Sequence, residues 1–302
     1  MVFFCVHGND AAVALSEYIA ETVENFAILM NKKVKEMSLP NTNFITPHGL
    51  DEENHYTTAY ELALITDYAL NIKEIANIVK TKTYTVYING NPKNINNTNE
   101  LLGSLDGVYG VKTGFTNGAN RCLVTAVKRN NMDIICVVLG ADTKKYRGKD
   151  SIELIEYVFS NYEMVDIKSK VEEKFNDAAK NLKFNINKGV NNELKVRLEE
   201  NDIDLYPVYK DNVKDIEIET NISEILNAPI KKNEVIGILN VKINSEIIYE
   251  LEILTDSDIC KKNVADYYED LLYNMKDWLI NGMKSKNINE ISSWQLERFL
   301  VS

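Results

Sequence analysis

Several signals are missing from this 302-residue sequence, and each absence closes off a class of protein. The four cysteines, Cys5, Cys122, Cys136 and Cys260, form no C-x-x-C pair and do not cluster. A zinc site or a disulfide framework is therefore poorly supported, and the four read as buried or free thiols. No apolar run reaches the roughly 18 residues of a membrane-spanning helix. A basic excess is also lacking: 34 Lys and Arg against 45 Asp and Glu give a net charge of −11. That balance excludes the usual electrostatic footprint of a nucleic-acid binder. The charge is spread along the chain, so it speaks mainly for solubility. The opening MVFFCV is apolar but too short for a signal-peptide core, and no basic flank precedes it. Read as it stands, such a chain stays in the cytoplasm. There is no internal repeat and no low-complexity segment. The acidic run Asp51, Glu52, Glu53 has no ligand spacing around it, so it reads as a solvated loop, and neither a metal nor a cofactor is expected.

What is present suits an ordinary globular protein. Hydrophobic residues make up 45% and charged residues 26%, enough to build a core in one large domain or two smaller ones. Residues 9–37 read as helices, with Asn9 and Asp10 as caps for AAVALSEYIAE. Phe26, Leu29, Met30 and Val34 continue the helical spacing. Residues 38–57 carry Pro40 and Pro47 among Asn, Thr and Gly, and read as loop. A helix restarts at Thr57 or Thr58, with Leu62, Ile65 and Leu70 near one face. TYTVYING (83–90) alternates like a strand that ends in a turn. RCLVTAVKR (121–129) and MDIICVVLGA (132–141), split by two asparagines, read as a buried antiparallel hairpin. SIELIEYVFSNY (151–162) returns to a helical period. From about residue 164 to 258 the sequence mostly alternates, as in DIEIET and VIGILNVKINSEIIYELEIL, with Asn244-Ser245 as a turn. This pattern predicts a small β-sandwich. The tail, 259–302, reads as an amphipathic helix with Val264, Tyr268, Leu271, Leu272, Met275, Trp278 and Leu279 in a stripe. The expected domains are therefore 1–163, 164–258 and 259–302.

The strongest chemical signal is GVYGVKTGFTNGANRCLV (107–124). A lysine on a strand edge, Lys112, can hold a carboxylate as a point charge. The Thr113 hydroxyl can hydrogen-bond the same anion, and Gly114 keeps side-chain bulk away from an approaching ligand backbone. A glycine-rich turn with a solvated lysine is the plainer alternative on local features.

Taken with HGND (7–10), PHGL, HYTTAYELALI, NTNELLG and VVLGA, all in order, the chain resembles the D-alanyl-D-alanine carboxypeptidases, the low-molecular-mass penicillin-binding proteins. That family carries three motifs, S-x-x-K, S-x-N and K-T-G. The resemblance implies an α/β (α+β) domain of the β-lactamase/transpeptidase type, followed by a small all-β domain and a C-terminal helix. It implies a serine nucleophile that attacks the bond between two D-alanines, a lysine base, a relay serine, an orienting asparagine, and a K-T-G segment holding the terminal carboxylate. The implied partners are a peptidoglycan stem peptide ending in D-Ala-D-Ala and β-lactam inhibitors. The implied location is the outer face of the cytoplasmic membrane, with a C-terminal helix as peripheral anchor.

Lys112, Thr113 and Gly114 match K-T-G, and Asn9 matches the asparagine of S-x-N. His7 stands where the relay serine is expected, and none of the serines has lysine three residues later. The resemblance thus implies a catalytic domain incomplete at its N-terminus, lacking the nucleophile and its base, and inactive alone. A split gene, a late start or a frameshift would each give this arrangement, and the abrupt MVFFCVH fits a frameshift best. Arg121 could help bind a carboxylate through its planar fork. His48 is expected to shape the cleft, and His55 to lie on the surface or at a helix N-terminus. Ser16 and Ser104 are spare hydroxyls with no partner lysine. A non-catalytic peptidoglycan-binding remnant and a β-lactamase relative are the rival readings. The tail has as many acids as bases, so its own support for a membrane role is weak.

Overall fold

The computed structural model of the chain describes residues 8–285. Two compact units divide them: one runs to Val165 and includes Pro207–Lys210, the other comprises Asp166–Tyr206 and the chain from Asp211 onward.

In the first unit, helices α1 (Asn9–Ala20) and α2 (Val23–Glu36) come first. Asn9 and Asp10 do not cap α1, contrary to the sequence reading. Both lie inside its first turn, and Gly8 is the N-cap without a side-chain bond. α2 is capped properly, by Thr22 accepting from the Asn25 N–H. Of its expected apolar stripe, Val34 is buried while Leu29 is exposed. α3 (Ala59–Leu70) starts as expected, with Thr58 accepting from the Glu61 N–H, and α4 (Lys73–Val79) follows.

Next come two hairpins. The first joins β1 (Thr83–Ile88) to β2 (Asn91–Asn96) through Asn89 and Gly90, at φ 51° and 79°. The second belongs to a three-stranded antiparallel sheet of β3 (Val108–Thr116), β4 (Asn120–Arg129) and β5 (Met132–Ala141), in that order. Its β4–β5 turn is Asn130-Asn131, at φ 49° and 63°. Two consecutive left-handed residues match the twist of the flanking strands, and asparagine tolerates that region.

β4 explains why its sequence is apolar without interruption. Leu123 and Val127 join Leu101, Cys136, Val138 and Ile155 in one cluster, beside helix α5 (Lys144–Asn161). Val124 and Ala126 face the other way, with Val79, Val111 and the α3 and α4 residues Leu62, Leu70 and Ile75. A strand covered on both faces needs apolar residues at every position, so alternation disappears. β3 is an edge of this sheet. β6 (Tyr162–Asp166) pairs with β9 (Leu205–Tyr209) in a separate two-stranded ladder.

The second unit adds a helix to the mostly alternating, β-rich stretch expected after residue 164. It begins with helix α6 (Ile167–Asn181), capped by Asp166 and burying Ile167, Val171 and Phe175. Those residues repeat every fourth position, a helical period. Four strands then form an antiparallel sheet in the order β10 (Ile216–Ile222), β12 (Val235–Ile243), β13 (Glu246–Thr255), β8 (Val196–Leu198). The short strands β7 (Asn185–Asn187) and β11 (Ile225–Asn227) pair in parallel. Leu239, Val241, Leu251 and Ile253 fill the core of this β-rich unit. The β12–β13 turn is Asn244-Ser245, again with both residues left-handed.

Helix α7 (Val264–Ser285) closes the described chain. Its stripe is uncovered: Val264, Tyr268, Leu271, Leu272, Met275 and Trp278 are all exposed. The remainder of the expected tail lies outside the described residues. Among the described residues, no helix is long and apolar enough to cross a membrane, and no cluster of three metal-type ligands occurs.

Candidate functional site

The first unit contains a cleft of about 570 Å³ that gathers residues from well-separated parts of the sequence. Asn9 comes from the first turn of α1. Thr46, Pro47, His48, Gly49, Leu50 and His55 come from the loop before α3. Lys112 to Thr116 come from edge strand β3, with Arg121 opposite on β4, and Lys144 and Arg147 open α5. The structure therefore brings together Asn9, His48, Lys112, Thr113, Gly114 and Arg121. His7 lies outside the described residues. Ser16 and Ser104 are absent from the cleft lining: each donates its hydroxyl to a nearby carbonyl, Val13 and Glu100 respectively.

β3 is fixed from behind. The Thr113 and Thr98 hydroxyls are 2.7 Å apart, and the Asn99 side-chain amide donates to the Gly110 carbonyl at 2.9 Å. The Lys112 ammonium donates to the Thr113 carbonyl at 2.7 Å, which folds its stem along the strand. Internal packing does not require glycine at 114, since an added Cβ would stand 3.5 Å from Cys122 Cβ, an ordinary contact. The bareness of Gly114 is thus available to a ligand and not spent on the protein's own packing.

Arg147 is buried and held by Glu100 through Nη2 at 2.7 and 2.5 Å and Nε at 3.2 Å, and it also donates to the Cys122 carbonyl. Its charge is largely answered. Arg121 lies differently: its guanidinium carbon is 3.6 Å from the centre of the Phe115 ring. At that distance the cation sits over the face of the aromatic ring.

The loop before α3 makes two contacts that its local sequence does not announce. Asp51 is exposed in an irregular loop, as expected of a solvated loop, and its carboxylate also accepts from the Thr116 hydroxyl at 2.5 Å and from the Gly118 N–H at 2.9 Å. The Thr116 bond, then the Gly118 bond, hold its pKa below the ordinary carboxylate value. It clamps the loop to the β3–β4 turn, 65 residues away in sequence. His55 is half-buried and lies three residues before the α3 cap, Thr58. It lines the cleft, packs edge-on against Phe44, and its Nδ1 accepts from the Ile45 N–H at 3.0 Å. Burial, then the neighbouring His48, push its pKa down. At neutral pH it is an uncharged acceptor.

Further back, Glu61 ties the start of α3 to the preceding loop. It accepts from the Asn41 backbone and side chain and from the Thr42 hydroxyl. Burial raises its pKa, yet the Thr42 and Asn41 bonds outweigh that and hold it below the ordinary value. Neither Asp51 nor Glu61 carries a local sequence signal for these roles, because their partners are distant in the chain. Among the thiols, Cys136 is buried and its pKa is pushed up to about 11 by that burial, whereas Cys260 is exposed.

Two family patterns match this chain. Residues 3–143 match D-alanyl-D-alanine carboxypeptidase, and residues 162–261 match the C-terminal domain of penicillin-binding protein 5. The chain is 33% identical over 274 residues to D-alanyl-D-alanine carboxypeptidase DacF of Bacillus subtilis, a match covering 90% of this chain and 67% of that protein. It is 30% identical over 255 residues to DacC of Escherichia coli, covering 83% of this chain and 60% of that one. Among solved structures, penicillin binding protein 5 from Haemophilus influenzae superposes with a TM-score of 0.65 at 30% identity, covering 86% of this chain and 73% of its own. The chain belongs to the D-alanyl-D-alanine carboxypeptidase family.

Proposed function

We propose that this chain supplies the carboxylate-binding side of a serine-type D-Ala-D-Ala carboxypeptidase site, and that these 302 residues alone do not turn substrate over. The observation that carries the reading is the cleft itself: Lys112, Thr113 and Gly114 share it with Asn9 and His48, and among the described residues no Asp or Glu lines it. In this reading the Lys112 charge and the Thr113 hydroxyl hold the C-terminal carboxylate of a peptidoglycan stem peptide. Asn9 orients the peptide, and His7 stands in the place of the relay serine. A serine with lysine three residues on is missing from the sequence, so the paired nucleophile and base are missing as well. Removing a nucleophile from such a site leaves only the weak effects of binding and charge stabilisation. The expected activity, when the nucleophile is supplied, is trimming of the terminal D-alanine through an acyl-enzyme, blocked by β-lactams, at the outer face of the cytoplasmic membrane. The uncovered stripe of α7 supports a peripheral membrane contact there.

A second reading, a non-catalytic peptidoglycan-binding remnant, is favoured by the same missing motif. A β-lactamase relative is disfavoured by the match of residues 162–261 to a penicillin-binding protein domain. Intact mass after incubation with excess penicillin tests the proposal. We expect no adduct, together with measurable binding of a D-Ala-D-Ala peptide that Lys112→Gln weakens. A stoichiometric adduct would overturn the claim of inactivity, and peptide mapping would identify the residue that has taken over.

A further inference from the structure

We infer that the outer face of the β1–β2 hairpin binds the glycan of peptidoglycan, a neutral chain of N-acetylated amino sugars stacked on Tyr87 and hydrogen-bonded by Asn94 and Asn96. The inference rests on the carboxylate-binding reading of the cleft, because the glycan is taken to be the one that carries the stem peptide held there.

The two faces of the hairpin differ. Thr83, Thr85 and Tyr87 alternate along β1, and their register partners Asn96, Asn94 and Pro92 share their side. All six are exposed. The opposite side carries Tyr84, Val86 and the buried Ile95, so that side turns to the protein. Both strands are edges of a two-stranded sheet, where charged side chains are the usual defence against unwanted pairing. The outer face has none, in a chain with 26% charged residues.

Its polar groups are arranged in advance. The Thr85 hydroxyl donates to Asn94 Oδ1 at 2.7 Å, and the Thr83 hydroxyl donates to Asn96 Oδ1 at 3.2 Å. Each bond occupies the amide carbonyl and orients the side-chain NH2, with its two donors, on an exposed surface. Sugar hydroxyls and acetamide carbonyls are neutral acceptors that match those donors. Tyr87, at the turn end of the same face, is 73% exposed. The C–H face of a pyranose packs on such a ring, whose π face is electron-rich, and the phenol hydroxyl stays wet.

Charge selects the same ligand. The acid group of the amino-sugar chain is consumed in the amide bond to the peptide, so the glycan is neutral. It matches an uncharged face, whereas a chain of net charge −11 repels an anionic polymer. Position agrees as well. β2 leads through Asn97 into Thr98, which lines the cleft with its hydroxyl 2.7 Å from that of Thr113. Asn94 lies four residues before Thr98, at most about 14 Å of chain, and an extended five-residue stem covers up to about 17 Å. A peptide anchored at Lys112 and Thr113 can therefore carry its sugar to the hairpin.

The test uses the full chain with chitotetraose, a neutral N-acetylglucosamine tetramer, and with an acetylated peptide ending in D-Ala-D-Ala, followed by calorimetry and amide NMR shifts. Chitotetraose should move the signals of residues 83–87 and 91–96 and leave those of 112–116 in place. Tyr87→Ala should weaken sugar binding roughly tenfold at an unchanged melting temperature. Asn94→Asp keeps an acceptor for Thr85 but loses both donors, and should weaken it severalfold. Neither variant should change peptide binding, whereas Lys112→Gln should weaken the peptide and spare the sugar. A disaccharide carrying the stem pentapeptide should bind more tightly than the free pentapeptide, and Tyr87→Ala should remove the gain. Absent sugar binding, sugar binding indifferent to Tyr87 and Asn94, or no gain from the attached disaccharide would each overturn the inference. Peptide binding weakened by Lys112→Gln would then leave the carboxylate reading standing, and failure of the peptide to bind would overturn both.

Discussion

Two hairpins of the first unit use the same kind of turn and differ sharply in burial. β1–β2 turns through Asn89-Gly90 and β4–β5 through Asn130-Asn131, each with two consecutive left-handed residues. Yet β1 and β2 are mostly exposed, with Ile95 the buried position of β2, whereas β4 is buried over Leu123 to Val127. Turn chemistry closes a hairpin; it does not stabilise one in water. The difference comes from α5 on one face of β4–β5 and α3 and α4 on the other. The comparison also bears on the site. Edge strand β3, with Lys112, Thr113 and Gly114, hydrogen-bonds to β4, so the buried hairpin is the rigid member that positions the cleft. The exposed hairpin contributes no residue to the cleft lining.

The sharpest way to break the comparison is a cavity in the buried member. Leu123→Ala, at a position with no solvent exposure, should cost about 2–5 kcal/mol of global stability. Tyr87→Ala on β1, where the side chain is 73% exposed, should stay within about 0.5 kcal/mol. Equal losses in chemical denaturation would mean that β1–β2 is part of the cooperative core. A smaller effect is expected at the turns. Gly90→Val and Asn131→Val both force a branched residue to positive φ, at a cost of about 1–2 kcal/mol. Asn131→Val should lower the melting temperature of the whole unit. Gly90→Val should speed amide exchange within β1 and β2 alone. Global unfolding by Gly90→Val would contradict the assignment.

The smallest effect concerns the irregular loop beside the cleft, where tertiary contacts do for a coil what α5 does for β4. His55 has a lowered pKa, from burial first and then from His48, with Asp51 and Glu52 opposing. Its folded value lies below the ordinary value of about 6.5, so the unfolded chain takes up the proton first. The stability it confers is therefore present above that value and lost as pH falls through the lowered folded pKa. Melting temperatures measured downward from neutral pH should fall in that window. His55→Gln, which keeps an acceptor for the Ile45 N–H but does not titrate, should flatten that part of the curve. An unchanged profile would remove His55 from the loop's support.

Legibility in the sequence follows the same divide. The buried hairpin was readable because two-sided burial writes itself as RCLVTAVKR and MDIICVVLGA, and the start of α3 was readable to within one residue, Thr57 or Thr58, because capping is a matter of three residues. β2 was not read, since NPKNIN on an exposed strand has no burial pattern to report. α6 was missed because its buried residues Ile167, Val171 and Phe175 are few among charges, and the surrounding alternation masked their spacing. The caps proposed at Asn9 and Asp10 failed because the helix begins at those residues and not after them.

By itself, then, the sequence determined the family, the K-T-G segment, the apolar strands, the Asn-based turns and the net negative charge. Each of these is written in neighbouring residues or in composition. Only the tertiary structure decided that Asn9, His48, Lys112 and Arg121 share one cleft, that Asp51 clamps Thr116 and Gly118, that Glu100 answers Arg147, and that Arg121 sits over the Phe115 ring. Those facts depend on groups separated by tens of residues meeting within hydrogen-bond distance. Chain closure brings them together, and no local pattern of residues encodes the meeting.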